Sequence, residues 1–454
     1  MKKIRNLRFV CLLLVLLSVF YIALPSASAS SFDDGLPDTG MAKNVYLASL
    51  DTGLVIMSKD ATTRIAPAST VKILTGLIAL EHFGENINTT VTVSSSISSH
   101  KVGSCMGLMP SDQVSALDLI YATVCGGYND AAYALAYAIS GSPDAFVKLM
   151  NEKMRALGAK ETLYTNPSGI DDEAMYTTLS DTVKLVKAAI NNELYMEISS
   201  AIAHKGNILR DGNNISFTAN NKNSLISGYY AMGYTNPSAS GVIAGMTDSG
   251  GYCVATKLDI GKCSYICVVM GASATETTIG SYATVNTLTA HIRQSFSLTK
   301  VMDVGDRICQ IPTEFALTAQ KDKEAGGKLD VKLGEDVYLL LPNNVDLESE
   351  LSYKYYLYSE TLTAPIFAGE RVGSIDFYYN GELIYTAPLI VSEDVAANKV
   401  LLGIEHLKEV IWSRTALISV ILFAAILPLY LHLERKAARR RSQKILKISS
   451  SRKL

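Results

Sequence analysis

Apolar runs separated by short polar stretches predict alternating strands and helices over residues 35–298. Residues 44–60 hold two β-rich runs, NVYLASLD and GLVIMSKD, which predict two short strands joined at Thr52-Gly53. The apolar run 67–83 follows closely and predicts a buried helix after a proline-led loop. The order therefore predicts a strand pair followed at once by a helix.

The rest of this region continues the alternation. Residues 115–124 and 130–139 are apolar enough to form buried helices on either side of a glycine-rich turn at 125–128. Residues 251–271 predict a β-hairpin around Asp259-Ile260-Gly261. Helices mixed with such strands predict an α+β fold in which helices flank an antiparallel sheet.

From residue 300 to residue 393 the pattern changes to short alternating runs with Asn380-Gly381 as a hairpin turn. Examples of these runs are VYLLLP, SIDFYYNG and ELIYTAPLIV. They predict a small all-β domain, and residues 394–412 predict a helical connector after it. The domain shows no candidate chemistry, so spacing or partner contact is its expected role.

The N-terminal end has the features of a secretory leader. Four basic residues precede an apolar run from Phe9 to Leu24, and Ala27-Ser28-Ala29 then supplies small residues for a signal peptidase. Residues 1–29 are therefore predicted to be a signal peptide, with the mature chain starting near Ser30. An uncleaved membrane anchor is the alternative.

The C-terminal end predicts a membrane span. Residues 415–433 are 19 positions without a charge. A helix of that length extends roughly 28 Å, close to the thickness of the hydrocarbon layer. The tail 434–454 is basic, and positive residues stay in the cytoplasm, so the body of the protein is expected on the outer side of the cell membrane. A buried amphipathic helix fits poorly because the run has no polar face.

Charge and cysteine content narrow the function classes. The net charge of −2 hides an acidic middle, because residues 31–434 carry 28 basic and 43 acidic side chains. Such a surface disfavours nucleic acid as a partner and suits a soluble outer domain. Cys11 lies in the leader, and the other cysteines show no CxxC spacing. We therefore expect neither a zinc site nor a disulfide framework, although one incidental disulfide stays open.

Candidate chemistry lies where the loop enters the helix at 67–83. Ser69 and Lys72 are three positions apart, so on a helix their side chains share one face. Serine is a weak nucleophile at neutral pH, but a lysine whose pKa is lowered by burial can accept its proton. The alternative is a helix cap, because serine is common at helix starts and S-x-x-K alone is a weak motif.

A resemblance to a known family strengthens the nucleophile hypothesis. The matching segments are APASTVKILTGLIALE at 66–81, GSCMGLMPSD at 103–112, NDAAYALA at 129–136, and residues 146–173. In this order they resemble the serine D-alanyl-D-alanine carboxypeptidases, the low-molecular-mass penicillin-binding proteins, whose fold is that of the serine β-lactamases. The resemblance implies a penicillin-binding-protein-like transpeptidase domain. The segment TAPIFAGERVGSI resembles the C-terminal β domain of the same proteins.

Members of this family combine three motifs in one cleft: S-x-x-K, S-x-N and K-T-G. The first is intact, which implies that Ser69 is the acylated nucleophile and Lys72 its base. The second is altered to Gly127-Tyr128-Asn129. Asn129 is kept and is expected to bond the substrate amide or Lys72, but the proton-relaying serine is a glycine. A tight turn is the structural alternative for the glycines, and Tyr128 is expected to face elsewhere.

The third motif is altered to Ile243-Ala244-Gly245, so the cation and the hydroxyl that bind a substrate carboxylate are absent. No arginine occurs between Arg210 and Arg293, and none of the lysines in that interval is at a matching position. These lysines are Lys222, Lys257 and Lys262.

The backbone parts of the family's site are implied to persist. The resemblance implies that the amides of Ser69 and Met246 form an oxyanion hole, and that Gly245 lets the substrate approach the edge strand. Ser249 lies in a D-S-G-G sequence similar to the nucleophile segment of trypsin-like proteases. None of the histidines lies in a recognisable motif, so a turn is expected there.

Two functions follow from the resemblance. In the first, Ser69 attacks the carbonyl between two terminal D-alanines of a peptidoglycan stem peptide, and water hydrolyses the acyl-enzyme. This enzyme requires no metal or cofactor, and β-lactams are expected ligands. In the second, the altered motifs make the chain a catalytically degenerate, membrane-tethered protein that binds cell-wall peptide or a partner protein.

Overall fold

The structure, a computed structural model, describes residues 36–316, 327–400, 403–404, 407–408 and 414–450. The predicted leader lies outside the described residues, as does part of the predicted connector. The chain divides into two compact units. The first contains the residues up to 301 with 338–353 and 377–385, and the second contains 302–337, 354–376 and the residues from 386 onward.

Two antiparallel sheets organise the first unit. Its strands up to residue 272 are β1 (Asn44–Ser49), β2 (Val55–Lys59), β3 (Thr90–Thr92), β4 (Gln113–Ser115), β5 (Ala203–Arg210), β6 (Asn213–Asn220), β7 (Ala239–Thr247), β8 (Gly251–Ile260) and β9 (Cys263–Ala272). Five of them form a sheet in the order β2-β1-β9-β8-β7, in which β7 is an edge strand. The other four form a sheet in the order β3-β4-β5-β6.

Helices cover both faces of the five-stranded sheet, some by direct contact with it and others by packing on neighbouring helices. They are α1 (Val71–Phe83), α2 (Ala116–Val124), α3 (Asn129–Ser140), α4 (Pro143–Ala156), α5 (Leu179–Ile190), α6 (Glu193–Ser200) and α7 (Gly280–Ser295). Val268 of β9 belongs to the core shared with α1–α6, whereas its neighbour Val269 belongs to a second core with Val285 and Leu288 of α7. Successive strand residues point to opposite faces, so β9 is buried on both.

Helix α1 is the central helix of the larger core. All of its residues from Val71 to Leu80 are buried. A helix that is apolar around most of its circumference must be surrounded by other elements, and α1 packs against the neighbouring helices α2 and α3. Whatever α1 carries at its N-terminal end is therefore held by a rigid support.

The α+β fold with a helix-flanked antiparallel sheet is confirmed. The strand pair β1–β2, the buried helices α1, α2 and α3, and the hairpin of β8 and β9 all lie where the sequence pattern predicts them. Among the described residues, the six cysteines from Cys105 to Cys309 are free thiols.

The chain after α7 is rich in strands, as predicted. These are β10 (Phe296–Met302), β11 (Arg307–Glu314), β12 (Lys328–Leu333), β13 (Val337–Pro342), β14 (Leu351–Leu357), β15 (Leu362–Thr363), β16 (Arg371–Tyr379) and β17 (Glu382–Val391). Six of them form a sheet in the order β14-β16-β17-β12-β11-β15. Asn380 and Gly381, which join β16 to β17, have φ values of 49° and 83°, the backbone that a two-residue hairpin turn requires.

A long helix, α8 (Arg414–Ser450), follows the β strands and contains Pro428. It includes the run at 415–433 for which the sequence predicts a membrane span. Within the part of the chain that the structure describes, no helix combines the length and the apolar character that crossing a bilayer requires. The structure therefore gives the predicted span no support.

Candidate active site

The loop before α1 carries the candidate nucleophile. Residues Ala68–Thr70 form a single 3₁₀ turn that leads directly into α1. Ala68 has a φ of 49°, a left-handed backbone that is strained for a residue with a side chain. The Thr70 hydroxyl donates to the carbonyl of Pro67 at 2.6 Å and closes the turn. Strain of this kind persists where the surroundings fix the backbone, and here it lies next to Ser69.

Ser69 and Lys72 are in direct contact. The Lys72 Nζ donates to Ser69 Oγ at 3.2 Å and to the Ser168 carbonyl at 2.6 Å. The side chain of Ser69 makes no capping bond to the helix, so the helix-cap interpretation is wrong. The serine hydroxyl instead faces an amine, which is the contact that a nucleophile and its base require.

The environment of Lys72 favours its neutral form. Only 1% of the residue is exposed, and this burial, together with the charge of Lys222, lowers the pKa of Lys72 to about 7. Cys105 acts in the opposite direction. A lysine with a pKa near 7 is a free amine in a substantial fraction of molecules at neutral pH, so it can accept the Ser69 proton.

Residues 166–169, in the loop between α4 and α5, position the lysine. The Asn166 Oδ1 accepts from the backbone amides of Ser168 and Gly169 at 3.1 and 2.7 Å, which fixes the loop. The loop is also tied to α1, because the Thr75 hydroxyl donates to the Pro167 carbonyl at 2.7 Å. The Ser168 carbonyl is thus held in place to accept from Lys72. Sequence analysis missed this role, although the loop lies inside the matching segment 146–173.

Edge strand β7 passes directly beside the nucleophile. A Cβ added to Gly245 would lie 2.4 Å from Ser69 Cβ and 2.6 Å from Ser69 Oγ, so only glycine permits this approach. The next residue, Met246, is about half exposed and pairs with Tyr252 of β8. The β7–β8 turn that follows contains Ser249, so the turn expected at the D-S-G-G sequence is confirmed.

An open cleft of about 670 Å³ contains these groups. This volume is within the range of small-molecule binding sites. Several predicted site residues line it: Ser69, Gly127, Asn129, Ala244, Gly245 and Met246. The Ser69 hydroxyl therefore lies where a ligand from solvent can reach it, and the buried Lys72 contacts it from behind the cleft surface.

Two of the three residues at the altered second motif, Gly127 and Asn129, line this cleft. Asn129, the first residue of α3, donates its side-chain amide to the Val102 carbonyl at 2.7 Å, and its backbone amide donates to Ser104. In the described contacts the donors of Lys72 go to Ser69 and Ser168 rather than to Asn129. Tyr128 is not a lining residue of the cleft.

The residues at the altered third motif divide between the core and the cleft. Ile243 is 3% exposed, belongs to the core shared with α1–α6, and does not line the cleft. Ala244 does line it, but with a methyl group where a hydroxyl is expected. Strand β7 therefore supplies a backbone beside Ser69 without a side-chain cation or hydroxyl from the motif itself.

Comparison with known proteins identifies the family. The family described as D-alanyl-D-alanine carboxypeptidase matches residues 34–274, more than half of the chain. The chain belongs to this family. The penicillin-binding protein 5 C-terminal domain matches residues 296–397. The chain is thus a serine-type D-alanyl-D-alanine carboxypeptidase-like protein with a penicillin-binding-protein-like fold and a C-terminal all-β domain.

Individual relatives cover most of both chains. D-alanyl-D-alanine carboxypeptidase DacC of Escherichia coli (strain K12) is 30% identical over 372 residues, which are 78% of this chain and 84% of the relative. DacF of Bacillus subtilis (strain 168) is 26% identical over 78% of this chain and 86% of its own length. The solved structure of penicillin binding protein 5 from Haemophilus influenzae covers 80% of this chain and 99% of its own at 24% identity, with a TM-score of 0.61.

This carboxypeptidase-family site contains a cation that none of the family motifs predicts. No lysine aligns with the cation of the K-T-G motif, yet Lys222, from the loop after β6, lines the same cleft as Ser69. Lys257 and Lys262 do not line it. Lys222 was missed because its position depends on the folding of β5 and β6 against the helices and not on any motif spacing.

Proposed function

We propose that the protein is a D-alanyl-D-alanine carboxypeptidase that acts on peptidoglycan stem peptides through an acyl-enzyme at Ser69. The observation that carries this proposal is the contact of Ser69 Oγ with the buried Lys72 Nζ at 3.2 Å beside an open cleft. The family of the chain and the names of its relatives supply the substrate class.

The first half of the reaction forms the acyl-enzyme. Ser69 Oγ bonds to the carbonyl carbon of the penultimate D-alanine while its proton passes to Lys72 Nζ. The backbone amides of Ser69 and Met246 are the proposed donors to the carbonyl oxygen as it gains negative charge. The C–N bond then breaks, and the proton on Lys72 passes to the amine of the departing D-alanine.

The second half restores the enzyme. Water adds to the ester carbonyl while Lys72, again neutral, accepts a proton from it. The C–O bond to Ser69 breaks, and the serine oxygen recovers its proton from Lys72. The products are the shortened stem peptide and an enzyme identical to the starting one.

The altered motifs point to slow turnover. Removal of one preorganised polar group from an active site typically lowers the rate by roughly 100- to 1,000-fold, and here the second-motif serine and two side chains of the third motif are changed. The effects of grouped residues do not simply add. The same changes in the second and third motifs also favour a second function, in which the cleft binds cell-wall peptide with little hydrolysis.

Mass spectrometry of the protein after exposure to a penicillin tests the proposal. We expect a covalent adduct on Ser69 in the native protein and none in Ser69→Ala. Release of D-alanine from a D-alanyl-D-alanine pentapeptide is expected to depend on the same serine. A native protein that forms no adduct and releases no D-alanine would contradict the enzymatic function, whereas an adduct without D-alanine release would favour the binding function.

We also propose an extracytoplasmic location in which the signal peptide 1–29 directs export and residues 415–433 attach the chain to the membrane. The support is the uncharged run of 19 residues and the basic tail after it. In addition, apolar side chains of α8 such as Ile421, Phe423 and Ile426 are exposed. Exposed apolar surface of this kind is unfavourable in water and favours contact with lipid.

A further inference from the structure

The cleft contains a cationic side chain that the family motifs do not account for. Among the cleft-lining residues in the described part of the chain, Lys222 is the only one with a basic side chain. No carboxylate of the described residues pairs with it. Its Nζ lies 4.0 Å from the centre of the Tyr230 ring, so its nearest stabilising contact is a cation–π interaction.

The backbone around Lys222 is fixed on both sides. Asn221 and Asn223 are 2% and 1% exposed, and their side-chain amides donate to the backbone carbonyls of Ser199, Ala201 and Gly241 at 2.7 to 2.8 Å. Lys222 itself donates its backbone amide to Cys125 and accepts from the Tyr282 hydroxyl. Because two buried asparagines flank this half-buried lysine, the fold fixes its backbone position, unlike that of a lysine on a flexible surface loop.

The glycine of the altered second motif makes room for this lysine. A Cβ added to Gly127 would lie 2.9 Å from Lys222 Cγ, so the lysine stem occupies the space into which a side chain at position 127 would point. A side chain at position 127 and the observed position of the Lys222 side chain would therefore compete for the same space.

The charge of the cleft suggests what Lys222 binds. With Ile243 in the core, the third motif supplies no cation. Two acidic residues, Asp171 and Asp248, also line the cleft. Asp248 lies in the β7–β8 turn, and Asp171 accepts from the Ser249 amide of that turn. Lys222 instead lies next to Gly127 and Tyr230. Burial lowers the pKa of Lys222, which shows that its charge is poorly solvated, and an anionic ligand would stabilise it.

We propose that Lys222 binds the terminal carboxylate of the stem peptide and so replaces, from a different element, the cation missing from strand β7. This assignment rests on the proposed carboxypeptidase function for its substrate. It makes Lys222 the residue that selects peptides with a free C-terminus over blocked ones, because an ammonium attracts a carboxylate and not an amide.

The test measures binding without chemistry, in the full-length Ser69→Ala protein. The ligands are a peptide that ends in D-alanyl-D-alanine and the same peptide as its C-terminal amide, and calorimetry gives both affinities. We expect the acid to bind roughly 10- to 100-fold more tightly than the amide, since hydrogen bonds to charged groups have about this strength. Lys222→Met is expected to remove the preference by weakening acid binding, and Lys222→Arg is expected to retain most of it.

Lys257→Met is the matched control, because Lys257 is a lysine of the same unit that does not line the cleft. A preference for the acid that survives Lys222→Met would overturn the assignment, and so would equal weakening of acid and amide or binding of neither peptide. The proposed function is judged separately, by acylation of the native protein. A protein that forms the Ser69 adduct but shows no Lys222-dependent preference keeps the function and loses this assignment.

Discussion

Lys72 shows how burial, aided by a neighbouring positive charge, can prepare an amine to act as a base. An exposed lysine is almost fully protonated at neutral pH, but Lys72 lies in the core beneath Ser69 and has a pKa of about 7. Its two described acceptors, Ser69 Oγ and the Ser168 carbonyl, are uncharged, so neither of them restores the charged form. The same burial that stabilises the core therefore makes the amine a base.

The pH dependence of acylation follows from this pKa. The active form of Lys72 is the neutral amine, and lowering its pKa to about 7 means that this form predominates above that pH. We expect the second-order rate of acylation by a penicillin to rise through an inflection near pH 7, to level off above it, and to fall roughly tenfold per pH unit below it. Stopped-flow measurements from about pH 5 to about pH 9 check this, with circular dichroism as a control for folding. A rate that keeps rising up to the highest pH measured, without levelling off, would contradict Lys72 with a lowered pKa as the base.

Gly127 is a second residue whose role is visible only in three dimensions. Its φ is 66°, and its missing side chain leaves space for Lys222. Gly127→Ser would restore the serine of the family's second motif, yet we expect it to lower the free energy of unfolding by about 1 to 3 kcal/mol through backbone strain and overpacking. Urea unfolding measures the loss.

The matched control for Gly127→Ser is Gly53→Ser. Gly53 also has a positive φ, 76°, but an added Cβ there would meet nothing within 4 Å. The difference between the two variants isolates the contact with Lys222. Equal losses would show that this contact is unimportant, and acylation faster than that of the native protein would show that the restored serine is accommodated.

At the scale of elements, the N-terminal end of α3 organises one wall of the cleft. Asp130 is fully buried, and its carboxylate oxygens accept from the backbone amides of Met106, Gly107 and Leu108 at 2.9 to 3.0 Å. The segment before these residues carries Gly103 and Ser104 into the cleft. A single carboxylate therefore ties this wall to the helix that bears Asn129.

Substitution of this carboxylate is expected to loosen the wall. Asp130→Asn replaces one acceptor oxygen with an amide donor that faces backbone N–H groups, so we expect a loss of about 2 to 4 kcal/mol in the free energy of unfolding and slower acylation. Chemical denaturation and penicillin acylation measure both effects. Asp144→Asn is the control, because Asp144 also lies in the first turn of a helix but is exposed. If both variants unfolded alike, the bonds to Asp130 would not hold the wall.

At the scale of the whole molecule, charge is distributed unevenly along the chain. Residues 31–434 carry an excess of acidic side chains, whereas residues 435–454 carry nine basic side chains and no acidic one. An acidic body and a basic end next to an apolar run are typical of a protein held at a membrane with its tail in the cytoplasm. This distribution supports the proposed attachment through residues 415–433.

Two arginines placed in the apolar run test the attachment. Arginine near the centre of a membrane helix costs about 2.5 to 3.5 kcal/mol, so we expect Phe423→Arg with Ile426→Arg to shift the full-length protein from the membrane fraction to the soluble fraction. Phe367→Arg with Leu383→Arg changes two exposed apolar residues elsewhere and is expected to leave the distribution unchanged. Membrane pelleting followed by carbonate extraction gives the measurement. Equal recovery of both double variants in the pellet would exclude attachment through this run.

The sequence by itself determined which segments form helices and strands, and it identified Ser69 and Lys72 as the candidate nucleophile and base. Apolar and β-rich runs along the chain predicted α1, the β8–β9 hairpin and the α+β class, because the lengths and turns of such runs are typical of buried helices and strands. The spacing of three positions also predicted that Ser69 lies beside Lys72, and the contact forms although Ser69 is in the turn before α1. These features depend on neighbours in sequence, which a linear pattern records.

Only the tertiary structure decided how the altered motifs are accommodated. It buried Ile243 in the core, placed the Ser168 carbonyl on Lys72, and brought Lys222 into the space left by Gly127. Each of these contacts joins segments that are far apart along the chain. Their geometry is set by how the sheet and the helices pack, and no local spacing contains that information.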